Sequence, residues 1–391
     1  MKHSAILKIL ALLLFFGALH ISLPVLAKAT DAPSTVNGGI ELPSPPSVSA
    51  RCAVLYCPEA DTVLYERNGE VRCGMASTTK ILTALIAIEC LPLSMPISIP
   101  KEACGIEGSS LYLQAGEILT VEQLLYGVLL RSANDAASAL AIACDGSVEA
   151  FAEHMNRRAA ELGAIDSHFV NPHGLDDPAH YTTALDLSKL TRAAMENETF
   201  RSIVCQKTYT IPSDGEIYRV LQNHNKLLWR YPDAIGVKTG FTKKCGRCLV
   251  SAAERDGVEL YAVTLDAPSD WSDHKALLDY GFSLMENKKL AETGDLLFSA
   301  PVAGGKTDQV YLTNNEEMRA VLRRDAPCLT LRYEYNRPLT APIRKGEVLG
   351  TVYLMEGDKV RASSSLVAQR AVDPALGRRS LLSRLTKLFH K

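Results

Sequence analysis

Ser77 and Lys80 stand three residues apart where the small and polar stretch Met75-Ala76-Ser77-Thr78-Thr79-Lys80 gives way to the apolar run Ile81-Leu82-Thr83-Ala84-Leu85-Ile86-Ala87-Ile88. That transition predicts a helix buried on all sides, starting at the serine and ending near Pro92. Residues three apart share a helix face, so hydroxyl and amine can meet. A serine at a helix N-terminus keeps a free backbone N–H, and the dipole there favours developing negative charge. A lysine beside such a helix loses its proton readily, because desolvation disfavours the ammonium form. The chemistry on offer is a serine nucleophile activated by an amine, with no histidine required. Two further short motifs, Ser132-Ala133-Asn134 and Lys238-Thr239-Gly240, supply another hydroxyl, an amide and a second cation.

The chain that must position these groups has 391 residues, 47% hydrophobic and 22% charged, an ordinary globular composition with room for two domains. A net charge of −2 gives no reason to expect a nucleic-acid partner. Lys2, His3 and Lys8 precede an apolar run from Ile9 to about Leu19, and Ala27 and Ala29 follow, which is the order of a secretory signal cleaved after one of those alanines. Of the ten cysteines only Cys245 and Cys248 form a C-x-x-C pair. With neither a second pair nor histidines at ligand spacing, no metal or other cofactor is expected, and most thiols read as small buried side chains. His173 and His180 read as loop and packing residues, since no third ligand accompanies them.

Residues 30–47 are a Pro-, Ser- and Gly-rich linker. A strand–turn–strand reads from Ala50 to Tyr65. Thr120-Val121-Glu122-Gln123 is a capping box opening a helix that runs out at Arg131. Ser132 to Asp135 interrupt it before helical pattern resumes from Ala136 to Cys144. Ser147 caps the next helix, closed by Gly163, and another opens after Thr183. Gly246–Arg255, Asp256-Gly257 and Val258–Leu265 make a hairpin signal with a type I′ turn, and helix returns from about Ser272 to Met285. Strands at both ends bracket a helical middle, so residues 48–297 form an α+β domain. Short alternating runs split by Gly and Pro make residues 298–368 a separate small β domain, with a linker at 369–377. In 378–391, Leu381, Leu382, Leu385, Leu388 and Phe389 share one helical face opposite Arg378, Arg379, Arg384, Lys387 and Lys391. That is an amphipathic helix suited to lie on an anionic membrane surface.

The three motifs, in this order and on this layout, resemble the signature of penicillin-binding proteins and class A β-lactamases. The chain looks like a low-molecular-weight penicillin-binding protein, a serine-type D-alanyl-D-alanine carboxypeptidase, and the likeness covers nearly the whole mature chain. Asn171-Pro172-His173-Gly174-Leu175, His180-Tyr181-Thr182-Thr183-Ala184 and Gly240-Phe241-Thr242 agree with it. The resemblance implies a penicillin-binding domain with an antiparallel sheet and flanking helices, acting outside the cytoplasm at the membrane face on peptidoglycan stem peptides. It makes Ser77 the nucleophile on the bond between two terminal D-alanines and Lys80 its base. Ser132 relays a proton to the leaving amine, and Asn134 holds the substrate amide and Lys80. Lys238, Thr239 and Thr242 bind the terminal carboxylate, Gly240 belongs to the same substrate-binding motif, and the N–H groups of Ser77 and of Phe241, the residue after that glycine, form the oxyanion hole. β-Lactams enter the same path and stall. Ala133 stands where class A β-lactamases carry Asp, and no Glu-x-x-x-Asn element follows Gly163 to supply their deacylating water, so a β-lactamase is the lesser reading. A wall-binding protein that acylates without turnover is the other alternative. A Cys245–Cys248 disulfide would stiffen the loop after the edge strand.

Overall fold

The computed structural model describes residues 42–212 and 219–375. The signal segment, most of the 30–47 linker and the amphipathic tail lie outside them. A five-stranded antiparallel sheet carries the first domain. Its strands are β1 (Cys52–Cys57), β2 (Thr62–Arg67), and, far along the chain, β7 (Ala234–Thr242), β8 (Gly246–Arg255) and β9 (Val258–Leu265), in the spatial order β2-β1-β9-β8-β7. The β8–β9 hairpin has the bounds read from the sequence. Asp256 and Gly257 both take positive φ (52° and 73°), as a type I′ turn demands.

The inner strands β1, β9 and most of β8 are buried on both faces, so their residues alternate between two cores. Cys52, Val54 and Tyr56 face the helical middle of the chain, while Ala53, Leu55 and Cys57 face the helix α8 (Asp270–Leu284) on the other side. On the α8 side His274 is fully buried, bridging Ser251 Oγ (2.5 Å) and Thr264 Oγ1 (2.9 Å), and burial pushes its pKa down to about 3. A neutral imidazole there ties the helix to two strands without placing charge in the core.

The helical middle comprises α1 (Lys80–Cys90), α2 (Val121–Leu130), α3 (Asn134–Asp145), α4 (Val148–Glu161), α5 (Ala184–Glu196) and α6 (Glu198–Val204), with the short α7 (Leu227–Arg230) before the edge strand. Two minor ladders accompany them: β3 (Pro96–Ser98) with β4 (Ile118–Thr120), and β5 (Thr208–Ile211) with β6 (Arg219–Gln222). The α2 capping box is present, with Thr120 and Gln123 bonded reciprocally. Ser147 and Thr183 cap α4 and α5 through Ala150 N and Asp186 N. Helix α3 begins at Asn134, two residues before its apolar pattern resumes. The Asp135 carboxylate accounts for this early start by accepting from Ala136 N at 2.9 Å inside the first turn. It also accepts from Ser110 Oγ, Leu111 N and Leu113 N at 2.6–3.0 Å, and it is fully buried.

The second domain has the sheet β11 (Leu297–Pro301), β12 (Gln309–Asn314), β16 (Lys359–Ala368), β15 (Val348–Glu356) and β14 (Thr330–Tyr335) in that spatial order, with its own core around Phe298, Leu312, Val352 and Leu366. A strand β10 (Met285–Ala291), in the stretch assigned by sequence to the first domain, pairs with β13 (Met318–Arg323). No sequence signal marks that partner, because β10 continues directly from α8. Arg361 Nη1 donates to Ala60 O (2.8 Å), joining β16 to the β1–β2 turn.

Asp135→Ala leaves several buried donors without an acceptor, and the expected loss is about 3 kcal/mol of stability. Chemical denaturation of the variant against the wild type measures it.

Candidate active site

Ser77 lies in a turn of 3-10 helix, Ala76–Thr79, that leads into α1. The sequence predicts one helix from the serine onward, and the tighter first turn is the structural refinement. A 3-10 turn eclipses side chains three apart, which places Ser77 directly over Lys80. The turn is held by its own hydroxyls, since Thr78 Oγ1 donates to Met75 O (2.6 Å) and Thr79 Oγ1 to Ala76 O (2.8 Å). His180 supports the second of these from behind. Its Nδ1 accepts from Val170 N, which leaves Nε2–H to donate to Thr79 Oγ1 at 2.7 Å. Burial lowers the His180 pKa to about 4, so the ring is neutral.

Lys80 is fully buried. Its Nζ lies 3.0 Å from Ser77 Oγ, 2.7 Å from Asn134 Oδ1 and 2.5 Å from His173 O. None of the ion pairs among the described residues involves it. Burial, reinforced by the charge of Lys238, holds its pKa well below that of an ordinary lysine, with Asp135 pulling weakly the other way. A neutral amine has two N–H bonds and one lone pair. Asn134 turns its Oδ1 toward Lys80 because its Nδ2 donates to Glu107 O, and the His173 carbonyl can only accept. In the neutral form both N–H bonds are taken by these acceptors, which leaves the lone pair for the serine hydroxyl.

The His173 carbonyl is aimed by a compact turn. Asn171 Oδ1 accepts from Gly174 N (2.7 Å), and its Nδ2 donates to Leu175 O (3.1 Å). Thr83 Oγ1 fixes Pro172 O at 2.7 Å. Gly174 has φ +87°, and a Cβ there would sit 1.9 Å from Ala76 O.

Ser132 adopts φ +61°, a left-handed conformation uncommon outside glycine, between α2 and α3. Its Oγ is buried with no hydrogen-bond partner, at the wall of a cleft of about 630 Å3 that also exposes Ser77, Thr239, Gly240 and Phe241. An unpartnered buried hydroxyl is costly, and its place at the cleft wall leaves it free for a ligand. Lys238 sits on the edge strand β7, almost wholly buried, with Nζ donating to Thr239 O (2.9 Å). Burial lowers its pKa to about 7. Gly240 permits close approach of β7 to the serine turn, since a Cβ there would lie 3.1 Å from both Met75 O and Ser77 N.

Ser77, Lys80, Ser132, Asn134, Lys238, Thr239, Gly240 and Phe241 are thus brought together. Thr242 is not among them. Its hydroxyl donates to Asp176 Oδ1 (2.7 Å) and accepts from Cys245 N (2.9 Å), and it does not line the cleft. The Cys245–Cys248 link that the C-x-x-C spacing would allow is not formed. Both thiols are free, Cys245 Sγ donating to Asp176 and Cys248 Sγ facing the Gly74 carbonyl.

The cleft has further walls that sequence reasoning missed. Trp229 and Arg230 on α7, His224 before it, and Arg247, Asp270 and Trp271 all line it. Arg247 pairs with Asp270 at 2.9 Å. Asn225 Oδ1 accepts from Leu227 N in an Asx-type turn just ahead of α7, a local signal for the chain reversal that leads to Trp229.

Gly174→Ala is expected to cost about 3 kcal/mol through strain and overlap, against about 1 kcal/mol for Gly163→Ala, where φ is also positive but a Cβ would meet only Lys189 Cδ, at 4.0 Å. Unfolding midpoints of the two variants give the comparison.

Comparison with known proteins agrees with this geometry. The family model "D-alanyl-D-alanine carboxypeptidase" matches residues 40–269, and "Penicillin-binding protein 5, C-terminal domain" matches 286–374. The D-alanyl-D-alanine carboxypeptidase DacF of Bacillus subtilis is 30% identical over 336 residues, covering 83% of this chain and 86% of that one. DacB2 of Mycobacterium tuberculosis, a D-alanyl-D-alanine carboxypeptidase, is 36% identical over 65% of this chain and 88% of its own. The crystal structure of penicillin binding protein 5 from Haemophilus influenzae superposes with a TM-score of 0.64 at 28% identity, covering 84% of this chain and 99% of that one. The chain belongs to the D-alanyl-D-alanine carboxypeptidase family, as a serine-type, low-molecular-weight penicillin-binding protein.

Proposed function

We propose that the protein removes the terminal D-alanine from peptidoglycan stem pentapeptides through an acyl-enzyme on Ser77. The observation that carries this reading is the buried Lys80 amine, 3.0 Å from Ser77 Oγ and within hydrogen-bond distance of two fixed acceptors, Asn134 Oδ1 and His173 O. Lys80 takes the serine proton as Oγ attacks the carbonyl between the two D-alanines. The resulting oxyanion is met by the N–H groups of Ser77 and Phe241, a reading supported by the close approach that Gly240 allows. Ser132, whose Oγ has no other partner, passes a proton to the departing amine. Asn134 positions Lys80. Lys238 and Thr239 receive the terminal carboxylate, whose negative charge returns Lys238 to its ammonium form. Water then releases the shortened peptide, and a β-lactam forms the same ester but leaves slowly.

Residues 1–29 are proposed as an export signal and 378–391 as a peripheral anchor on the outer face of the cytoplasmic membrane, on the strength of their sequence patterns. Among the described residues no helix is long and apolar enough to cross a membrane. We place the catalytic domain at 48–297 and the small β domain at 298–368, with β10 a strand whose pairing belongs to the latter.

The wild type is expected to release D-alanine from a pentapeptide ending in D-Ala-D-Ala and to be labelled by fluorescent penicillin. Ser77→Ala should abolish both with an unchanged unfolding midpoint, and Lys80→Ala should reduce acylation at least about 1000-fold, as loss of a nucleophile's base does. Penicillin labelling without alanine release would instead support a binding protein, and rapid repeated hydrolysis of penicillin a β-lactamase.

A further inference from the structure

Four cysteines converge on Gly74, three residues ahead of the nucleophile. Cys52 Sγ and Cys73 Sγ lie 3.1 Å apart, both buried. Cys248 Sγ is 3.8 Å from Gly74 O, and Cys245 Sγ packs so closely that a Cβ on Gly74 would lie 2.4 Å from it. The two nearest sulfurs sit on chain segments already fixed in place. Cys52 opens β1 and pairs in register with Leu265, while Cys73 exchanges two backbone hydrogen bonds with Thr182 (2.8 and 3.0 Å). Their separation exceeds a disulfide bond by only about 1 Å.

We propose that Cys52 and Cys73 are an oxidisable pair that closes to a disulfide, fastening the first strand to the segment that delivers Ser77. The oxidant is a low-molecular-weight disulfide. It reaches Cys73 through a second cavity of about 320 Å3 behind the serine turn, lined by Arg51, Arg72, Cys73, Gly174 and Cys245 among others. The Cys73 thiolate attacks one sulfur of the reagent, forming a mixed disulfide and expelling one thiolate. Cys52 then gives up its proton and attacks Cys73 Sγ, forming the internal disulfide and expelling the second thiolate. Two protein thiols are oxidised and one external disulfide is reduced to two thiols.

The order of attack follows from the surroundings. A hydrogen bond from Cys52 stabilises the Cys73 thiolate, with help from the nearby Arg51, and against burial these bring its pKa down to about 7. The same interaction, with burial, pushes Cys52 up. Cys73 is therefore the attacking sulfur and Cys52 the resolving one. Cys57 does not compete, because it faces the opposite side of the sheet. Cys245 is held by Asp176, and burial raises its pKa.

The full-length protein, freed of reductant, is incubated with oxidised glutathione, alkylated and digested with trypsin under non-reducing conditions. The expected product joins peptide 52–67 to peptide 73–80, with fragmentation placing the bond at Cys52, and dithiothreitol reverses it. Peptide mapping is required because Cys90 and Cys144 also lie within hydrogen-bond reach of each other, so a fall in thiol count alone does not identify the pair. The oxidised protein should melt about 5 °C higher than the reduced one, since the bond closes a loop across 21 positions. Cys52→Ser, which keeps a hydrogen-bond donor to Cys73 but has no resolving sulfur, should instead retain glutathione on Cys73. Persistent glutathione on Cys73 of the wild type, a Cys73–Cys245 bond, or no reaction at either sulfur would overturn the proposal.

Discussion

The constraint on which the site depends is the burial of the Lys80 amine without a carboxylate partner. An ammonium there would be costly, and the protein meets that cost by lowering the pKa rather than by pairing the charge. The neutral amine that results is a base, and three elements decide where its lone pair points. The 3-10 turn stacks Ser77 above it, the first residue of α3 offers an amide oxygen, and the 171–175 turn offers a carbonyl. Each partner is itself held by a neighbour, Asn134 by Glu107 O and His173 by the Asn171 side chain.

A second buried lysine completes the arrangement. Burial lowers the pKa of Lys238 on the edge strand β7, and the charge of Lys238 adds to burial in lowering that of Lys80. The free enzyme is therefore poised to gain charge where a carboxylate docks, and the base stays neutral where the proton is taken. Positive φ at Ala76, next to the nucleophile, and at Ser132, in the cleft wall, stores conformational strain beside the reacting groups, of order 1–3 kcal/mol each.

Much of this was legible in the sequence. The β8–β9 hairpin, the caps at Thr120, Ser147 and Thr183, and the apolar α1 carry local signals strong enough to fix their bounds within a residue or two. Ser77, Lys80, Ser132, Asn134 and Lys238 were found as short motifs whose order and resemblance, not whose spacing, tied them together. What stayed hidden depends on tertiary contact. Thr242 follows the third motif directly, yet Asp176, from a loop far away in sequence, claims its hydroxyl. Trp229, Arg247 and Trp271 reach the cleft from three separate elements with no shared period. The sulfur pair likewise joins Cys52 and Cys73, while the C-x-x-C spacing drew attention to Cys245 and Cys248. The strand β10 was missed because it continues from α8 without a break residue.

The most direct test of the account is the ionisation of Lys80 itself, read from the Cε chemical shift of protein carrying 13C-labelled lysine and assigned by its loss in Lys80→Arg. The account predicts that Lys80 loses its proton well below the usual lysine range, while surface lysines remain ammonium to about pH 10.4. A Lys80 signal that titrates with the surface lysines would contradict it.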